Sequence, residues 1–358
     1  MDKKLGKYSL DIINGMIDWV RVIDPDHRIV FMNKAMKDQV GDFTGMKCYQ
    51  ALGLNSPCPD CITDETLRTG RIHKKEETVN GRVYSVASSP VRDEQGRICS
   101  AVEVFRDITK EKAMERSIRE QNRKFNDDLC FAKTLQHRML PQKGEVNGSF
   151  LVDYLYIPCE MLGGDLFDVF PVEGRNTAVY IFDIAGHGVM SSMMTMFVRQ
   201  TVRTLAEEGC SPPLVLEGLL EKFLGLGLDD EVFITILYGI YNPEDSVFTY
   251  SNAGHNPPVV LKRGSAAVVE GVGLPICSLA RGCGYREYKL RLEKGDSLYL
   301  YTDGITEARN GTGAFFGVDG IIRALEQGDS VENVIESVKK FSGGRLPDDV
   351  AILGAKVL

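Results

Sequence analysis

Four groups of aspartates in the C-terminal part of this 358-residue chain stand where strand ends would hold them rigidly. Gly163-Gly164-Asp165 follows a strand and makes a tight turn before Phe167-Asp168. Asp183 ends the apolar run Val179-Tyr180-Ile181-Phe182, and Gly186-His187-Gly188 follows at once. Asp303 ends a second apolar run, Leu298-Tyr299-Leu300-Tyr301, with Gly304 behind it, and Asp348-Asp349 open the last strand. A carboxylate at the end of a buried strand is short and fixed, and a neighbouring glycine lets backbone and ions come close. Carboxylates converging from several strands repel one another. A hard cation with oxygen ligands, Mg²⁺ or Mn²⁺, relieves that repulsion. Two such ions about 4 Å apart polarise a water and clamp both oxygens of an in-line phosphoryl displacement. No Cys or His pair stands at zinc spacing here. Each Asp-Gly taken singly is an ordinary turn signal, and residue type leaves the reaction open.

The elements that must position these groups fall into three regions. Residues 1–107 are short alternating runs broken by turns. Trp19–Ile23 and Arg28–Met32 flank Asp24-Pro25-Asp26-His27, and Arg82–Val91 and Ile98–Arg106 flank Arg92-Asp93-Glu94-Gln95-Gly96, so each pair reads as a hairpin. Residues 108–140 contain neither Gly nor Pro and predict a helix roughly 50 Å long. From Ile118 its apolar steps alternate four and three through Asn122, Phe125, Leu129, Ala132, Gln136 and Met139. That is a coiled-coil seam, with Asn122 and Gln136 at core positions where they would set register. Pro141 stops the helix. In residues 141–358, strands are expected at 178–184, 232–241, 297–302 and 350–357, and helices at 189–207, 213–226, 319–326 and 331–341. Two helices between the first two strands predict an α+β class rather than a wound parallel sheet.

Apolar residues make up 43% of the chain and charged residues 26%, the balance of a folded protein. A net charge of −8 repels phosphate backbones and excludes nucleic acid as the expected partner. No apolar run approaches the length of a membrane span. Lys3, Lys4, Asp11 and Asp18 interrupt the first twenty residues, which lack the apolar stretch of a signal peptide. The expected location is therefore the cytoplasm, with the nine cysteines reduced. Cys130, Cys159, Cys210 and Cys277 read as small buried hydrophobes.

The ordered motifs Leu135-Gln136-His137-Arg138-Met139-Leu140-Pro141, Gly163–Asp168, Asp183–Gly188, Ser251-Asn252-Ala253-Gly254-His255-Asn256-Pro257-Pro258, Tyr301–Ala308 and Asp348-Asp349 resemble the signatures of the SpoIIE-type (RsbU-like) protein phosphatases of the metal-dependent PPM class. The resemblance runs from about residue 135 to the C-terminus. It implies an α-β-β-α sandwich with two Mn²⁺ or Mg²⁺ ions, and ligation by Asp165, Asp183, Asp303, the Ile184 carbonyl and one of the closing pair. Asp348 is the favoured ligand and Asp349 its support. It further implies direct hydrolysis of phosphoserine or phosphothreonine with no covalent enzyme intermediate. The implied substrate is a STAS-type anti-sigma-factor antagonist, which links the chain to sigma-factor regulation. His187 is the nearest candidate for the general acid, although a His between two glycines also simply shapes a turn. His255 is expected to support the loop around Asn252 and Asn256. Gly163–Phe167 also resembles the loop of diguanylate cyclases but lacks their acidic fourth residue. His137 lacks the neighbouring acid and ATP-binding boxes of a histidine kinase. A catalytically silent, partner-binding relative is the alternative, and the intact aspartates argue against it.

Residues 11–107 resemble a PAS sensor domain, through the strand–turn–strand at 19–32 leading to Asn33-Lys34-Ala35 and through the closing Glu103–Thr109. The resemblance implies a homodimer that passes its signal down the emergent helix. Within this region Cys48, Cys58 and Cys61 read in three ways: a metal site with His73 or Cys99 as fourth ligand, a redox dithiol, or reduced thiols in a Pro-containing loop.

Overall fold

The computed structural model describes residues 2–51, 54–56, 58–159, 161–186, 188–228, 231–346 and 348–358, with side chains from residue 7 onward. Its contacts divide the chain between Lys124 and Phe125 into two compact units.

The first unit holds helix α1 (Asp2–Asn14), strands β1 (Trp19–Ile23) and β2 (Ile29–Met32), helices α2 (Lys34–Val40), α3 (Cys48–Ala51) and α4 (Ile62–Thr69), and strands β3 (His73–Val79), β4 (Arg82–Arg92) and β5 (Ile98–Asp107). The strands form one antiparallel sheet in the order β2-β1-β5-β4-β3. Both expected hairpins are present, and each turn is closed by its own aspartate. Asp24 Oδ1 accepts from the N–H groups of Asp26 and Arg28, and Asp93 Oδ1 accepts from those of Gln95 and Arg97. Trp19, Ile23, Ile29, Met32, Met36, Ile62, Tyr84, Val86 and Phe105 fill the core between this sheet and its helices.

Helix α5 (Thr109–Met139) follows, within two residues of both expected ends. Beyond it lie β6 (Gly144–Val146), β7 (Phe150–Ile157), β8 (Leu166–Pro171), β9 (Thr177–Ile184), α6 (Val189–Glu207), α7 (Pro212–Leu224), β10 (Ile234–Asn242), β11 (Val247–Ala253), β12 (Val259–Lys262), β13 (Ser265–Val268), β14 (Tyr288–Arg291), β15 (Ser297–Tyr301), α8 (Asp303–Thr306), α9 (Gly317–Gln327), α10 (Val331–Ser342) and β16 (Val350–Val357). Two antiparallel sheets result, ordered β14-β11-β10-β9-β8 and β13-β12-β15-β16-β7-β6. Their strands are apolar on both faces, so each sheet needs cover on both sides. Three apolar layers supply it. Phe182, Ile184, Val198, Val202, Leu216 and Leu219 join the first sheet to α6 and α7. Phe167, Val179, Ile181, Leu298, Leu300 and Leu353 fill the space between the sheets. Tyr299, Tyr301, Ile321, Leu325, Val334 and Ile352 join the second sheet to α9 and α10. This is the expected α-β-β-α sandwich.

Several local expectations need correction. Cys130 and Cys159 are exposed, and Cys210 and Cys277 are only partly buried, so they are not the core hydrophobes their scattered spacing suggested. Asp165 comes directly before β8, and Asp303 opens α8 two residues beyond the end of β15. Gln136 is buried within its own unit, where its Nε2 donates to the Gly163 carbonyl at 2.7 Å. It is therefore taken from the seam.

Candidate active site

Strand parity brings the carboxylates together. Side chains alternate across a strand. In β8, Phe167 and Val169 point between the sheets, in β9 Val179 and Ile181 do, and in β16 Ala351 and Leu353 do. A step of two, back from Phe167 and Ala351 and forward from Ile181, places Asp165, Asp349 and Asp183 on the same inter-sheet side at one end of the sandwich. Asp303 reaches that end through the join of β15 to β16, where Thr302 N donates to the Ala351 carbonyl and Ala351 N donates to Thr302 Oγ1, both at 3.0 Å. The result is a cleft of about 350 Å³ lined by Asp183, Ile184, Gly186, Thr235, His255, Asp303, Asp348 and Asp349, among others. Asp165 does not line the cleft; it is buried behind Asp183, 2% exposed and hydrogen-bonded to it.

The two aspartates of the closing pair differ. Asp349 is buried, and both of its oxygens are engaged at 2.7 Å, Oδ1 by the N–H of Cys159 and Oδ2 by that of Gly164. Asp348 is exposed on the cleft, with Oδ1 accepting from Asp349 N. Glycine is required at the turn that Asp349 holds. A Cβ on Gly163 would meet Asp349 Oδ2 at 2.6 Å, and one on Gly164 would meet the Ile184 carbonyl oxygen at 2.9 Å. That close approach sets Asp165 beside Asp183 and the Ile184 carbonyl.

The cluster is electrostatically strained. Burial, then the charges of Asp183, Asp349 and Asp303, holds the Asp165 carboxyl well above the usual carboxylate range. Burial and then Asp303 push Asp183 up to about 7, against the pull of a hydrogen bond from Asp165. Asp303 is raised by burial, Asp348 and Glu307. Asp165 Oδ2 is fully buried with no hydrogen-bond partner. An orphaned carboxylate oxygen in an all-oxygen donor set, among acids that resist ionising together, fits a hard divalent cation.

Asp168, read alongside Asp165, is not part of the cluster. Its parity sends it to the helix side, where Oδ2 meets Arg203 Nη2 at 2.7 Å and Arg199 at 3.5 Å, tying β8 to α6. His187 lies outside the described residues. His255 is 6% exposed. Its Nε2 lies 3.1 Å from the Tyr301 carbonyl, so this nitrogen carries the proton and Nδ1 accepts from Thr235 Oγ1 at 2.9 Å. Its own N–H donates to Asn252 Oδ1. His255 thus supports the loop at Asn252, as expected. Two further residues went unread in the sequence, Arg203 and Tyr156, and Gln136 was read for the seam and not for its bond to Gly163. The Tyr156 hydroxyl is buried without a partner, close enough to Asp349 and Asp165 for their charges to raise it further.

Comparison with known proteins agrees with this geometry. The profile of Stage II sporulation protein E (SpoIIE) matches residues 173–358, and that of the PAS fold matches residues 13–113. The chain belongs to the SpoIIE family. Its C-terminal domain is of the protein serine/threonine phosphatase class, and its N-terminal domain has the PAS fold. It is 24% identical over 245 residues to phosphoserine phosphatase RsbU of Bacillus subtilis, covering 66% of this chain and 72% of that one. With phosphoserine phosphatase RsbP of the same organism it shares 26% identity over 185 residues, 50% of this chain and 45% of that protein. In three dimensions it resembles the SiaA-PP2C domain of Pseudomonas aeruginosa, with a TM-score of 0.57, 20% identity, and coverage of 66% and 98%. Asp165 precedes the SpoIIE match, so its place in the cluster rests on the geometry. No helix among the described residues is long and apolar enough to cross a membrane.

In the N-terminal unit the cysteine reading changes. Cys48 is buried, and burial pushes its thiol up to about 11. His73 pairs with Glu65 at 2.9 Å, and Cys99 is exposed beside the Val91 carbonyl, so neither serves as a fourth ligand. Among the described residues, the ligand atoms that gather here within 4.8 Å belong to His27, Cys61 and Asp64.

Proposed function

We propose that the C-terminal domain hydrolyses phosphoserine or phosphothreonine on a bacterial regulatory protein, with two Mn²⁺ or Mg²⁺ ions held by Asp165, Asp183, the Ile184 carbonyl, Asp303 and Asp348. The observation that carries this reading is the convergence of Asp183, Asp303 and Asp348 on one cleft, with Asp165 buried against Asp183 and its Oδ2 unpartnered. When bound, the ions would supply Lewis-acid polarisation of the phosphoryl group and of the attacking water. Asp349 spends both oxygens on backbone N–H groups and keeps the Gly163–Gly164 turn in place. His255 is held neutral by burial, which pushes it down to about 4, and it positions Thr235 and the Asn252 loop. His187 is the proton donor to the departing serine oxygen in this reading.

The family and the similarity to RsbU over 72% of that protein support a STAS-domain anti-sigma-factor antagonist as the substrate. The PAS fold supports control by a sensed signal, and the exposed apolar stripe of α5 supports a homodimer. The acidic surface and the lack of a membrane-crossing helix among the described residues support a cytoplasmic protein that binds no nucleic acid.

The test is Mn²⁺-dependent hydrolysis by the full chain of p-nitrophenyl phosphate and of a phosphorylated STAS-domain protein, with Asp303→Asn in parallel. Activity is expected to need the metal and to fall in the variant by at least ~10²-fold. Metal binding without turnover of either substrate would instead favour the catalytically silent reading. His187→Gln separates roles within the site. Loss of a proton donor should slow phosphoserine hydrolysis by about 10²-fold or more, yet largely spare p-nitrophenyl phosphate, whose leaving group departs as a stable anion. Equal slowing of both would reduce His187 to a turn residue.

A further inference from the structure

We propose that His27, Cys61 and Asp64 form a binding site for a divalent transition-metal ion of the Zn²⁺ type in the PAS unit, distinct from the aspartate centre and independent of the phosphatase reading. One donor atom from each residue lies within 4.8 Å of the other two. The set offers one imidazole nitrogen, one thiolate and one carboxylate oxygen. This is the donor chemistry of Zn²⁺ and its neighbours and not of Mg²⁺ or Mn²⁺.

Each ligand is delivered by a rigid piece of backbone. Cys61 and Asp64 lie three residues apart at the start of α4, so they share one face of its first turn. Cys61 occupies the N-cap, and its sulfur is held over the first turn by hydrogen bonds from Asp64 and Thr63. His27 comes from the β1–β2 turn with φ at +63°, a left-handed conformation that a residue with a side chain adopts at a cost. The turn is locked on both sides, by His27 N donating to the Asp24 carbonyl at 3.0 Å and by Cys48 N donating to the His27 carbonyl at 2.7 Å. The conformation turns the imidazole toward α4, where Nε2 lies 3.3 Å from Asp64 Oδ1. That spacing matches the edge of a tetrahedron with bonds of about 2.0 Å, roughly 3.3 Å.

An ion pair between His27 and Asp64 accounts for only part of this arrangement. It does not call for a sulfur, yet the Cys61 thiol stands within ligand range of both partners. Three protein ligands also leave a coordination position open to a small exogenous donor, as in zinc sites that exchange a ligand. A sensor domain would use such a position to read its signal.

The experiment is a Co²⁺ titration of the full chain after chelator treatment, followed by Zn²⁺ competition. Cobalt bound to a thiolate gives a near-ultraviolet charge-transfer band, whereas the proposed phosphatase ligands are all oxygens. The expected result is a band saturating at about one equivalent and displaced by Zn²⁺. It should be lost in Cys61→Ser and kept in Cys159→Ser, which removes the thiol nearest Asp348 and Asp349. Asp64→Asn, at a half-exposed helix position that tolerates change, should weaken Co²⁺ binding by at least about tenfold. It decides the matter if Cys61→Ser fails to fold. No band in the native chain, a band undiminished in Cys61→Ser, or unchanged affinity in Asp64→Asn would each overturn the site.

Discussion

At the scale of single residues, the aspartates are legible in the sequence because strand-end carboxylates beside glycines are a local signal. Their partners are not local. Asp349 meets Gly164 across 185 positions, and Gln136 meets Gly163 across 27. Asp168 shows the same limit in reverse. It sits in the same motif as Asp165, yet an odd step along β8 sends it to Arg203 on α6. The loop histidine gives a residue-scale prediction. His255 is held neutral by burial, its value pushed from the ordinary 6.5 down to about 4. Between those values the unfolded chain binds the extra proton, so stability rises with pH through this window. The contribution is complete above about 6.5 and is lost as pH falls toward 4, some 3 kcal/mol in all. In urea denaturation, the native chain should therefore lose about that much more stability between pH 7.5 and pH 4 than His255→Gln does. Parallel losses in the two would show that His255 is not buried as a neutral ring.

At the scale of elements, β9, β10, β16 and the helices α6, α7, α9 and α10 follow from their apolar periods, and α6 begins and ends at the expected residues, whereas α1, β3, β7, β8 and β11 were not read. The four-residue strands β12, β13 and β14 were not legible, because so short a run carries no period of its own and exists through its ladder partners. Helix α5 was legible as a helix but not as a part of the site. Its last turns dock on the catalytic fold, with Gln136 Nε2 donating to the Gly163 carbonyl at 2.7 Å and Gln136 Oε1 accepting from Gly163 N at 3.3 Å. The His137 ring meets Tyr156 edge-on at 5.8 Å. The helix end thus grips the turn that sets Asp165, and a shift in α5 would reach a proposed metal ligand through one side chain. Gln136→Ala should cost about 1–3 kcal/mol of stability, because it strips partners from buried backbone groups. It should also raise the Mn²⁺ concentration for half-maximal activity several-fold while leaving the KM for p-nitrophenyl phosphate at saturating metal nearly unchanged. A stability loss with no change in the metal requirement would mark Gln136 as a packing residue only.

At the scale of the whole molecule, the two compact units meet the chain boundary inside α5, between Lys124 and Phe125. The stripe read as a coiled-coil seam is bare there. Ile118 is 51% exposed and Phe125 57%, and Asn122 between them is exposed too. Large apolar side chains spaced seven apart along a solvent-facing helix cost nothing to the folded chain, but they stand at the interval a second helix would need. The register polar residue would then be Asn122 alone, since Gln136 is occupied within its own unit. A dimer through this stripe would join two copies where the sensor half gives way to the phosphatase half. Ile118→Asp with Phe125→Asp removes little from the single chain, because both side chains already face water. It should convert a dimer to a monomer in sedimentation and change the phosphatase rate severalfold in either direction. The thermal transition of the catalytic domain should move by no more than a degree or two. If the doubly substituted chain is monomeric and equally active, α5 is a tether and the stripe carries no signal; if the native chain is itself monomeric, the seam has no partner and control must run through Gln136 within one copy.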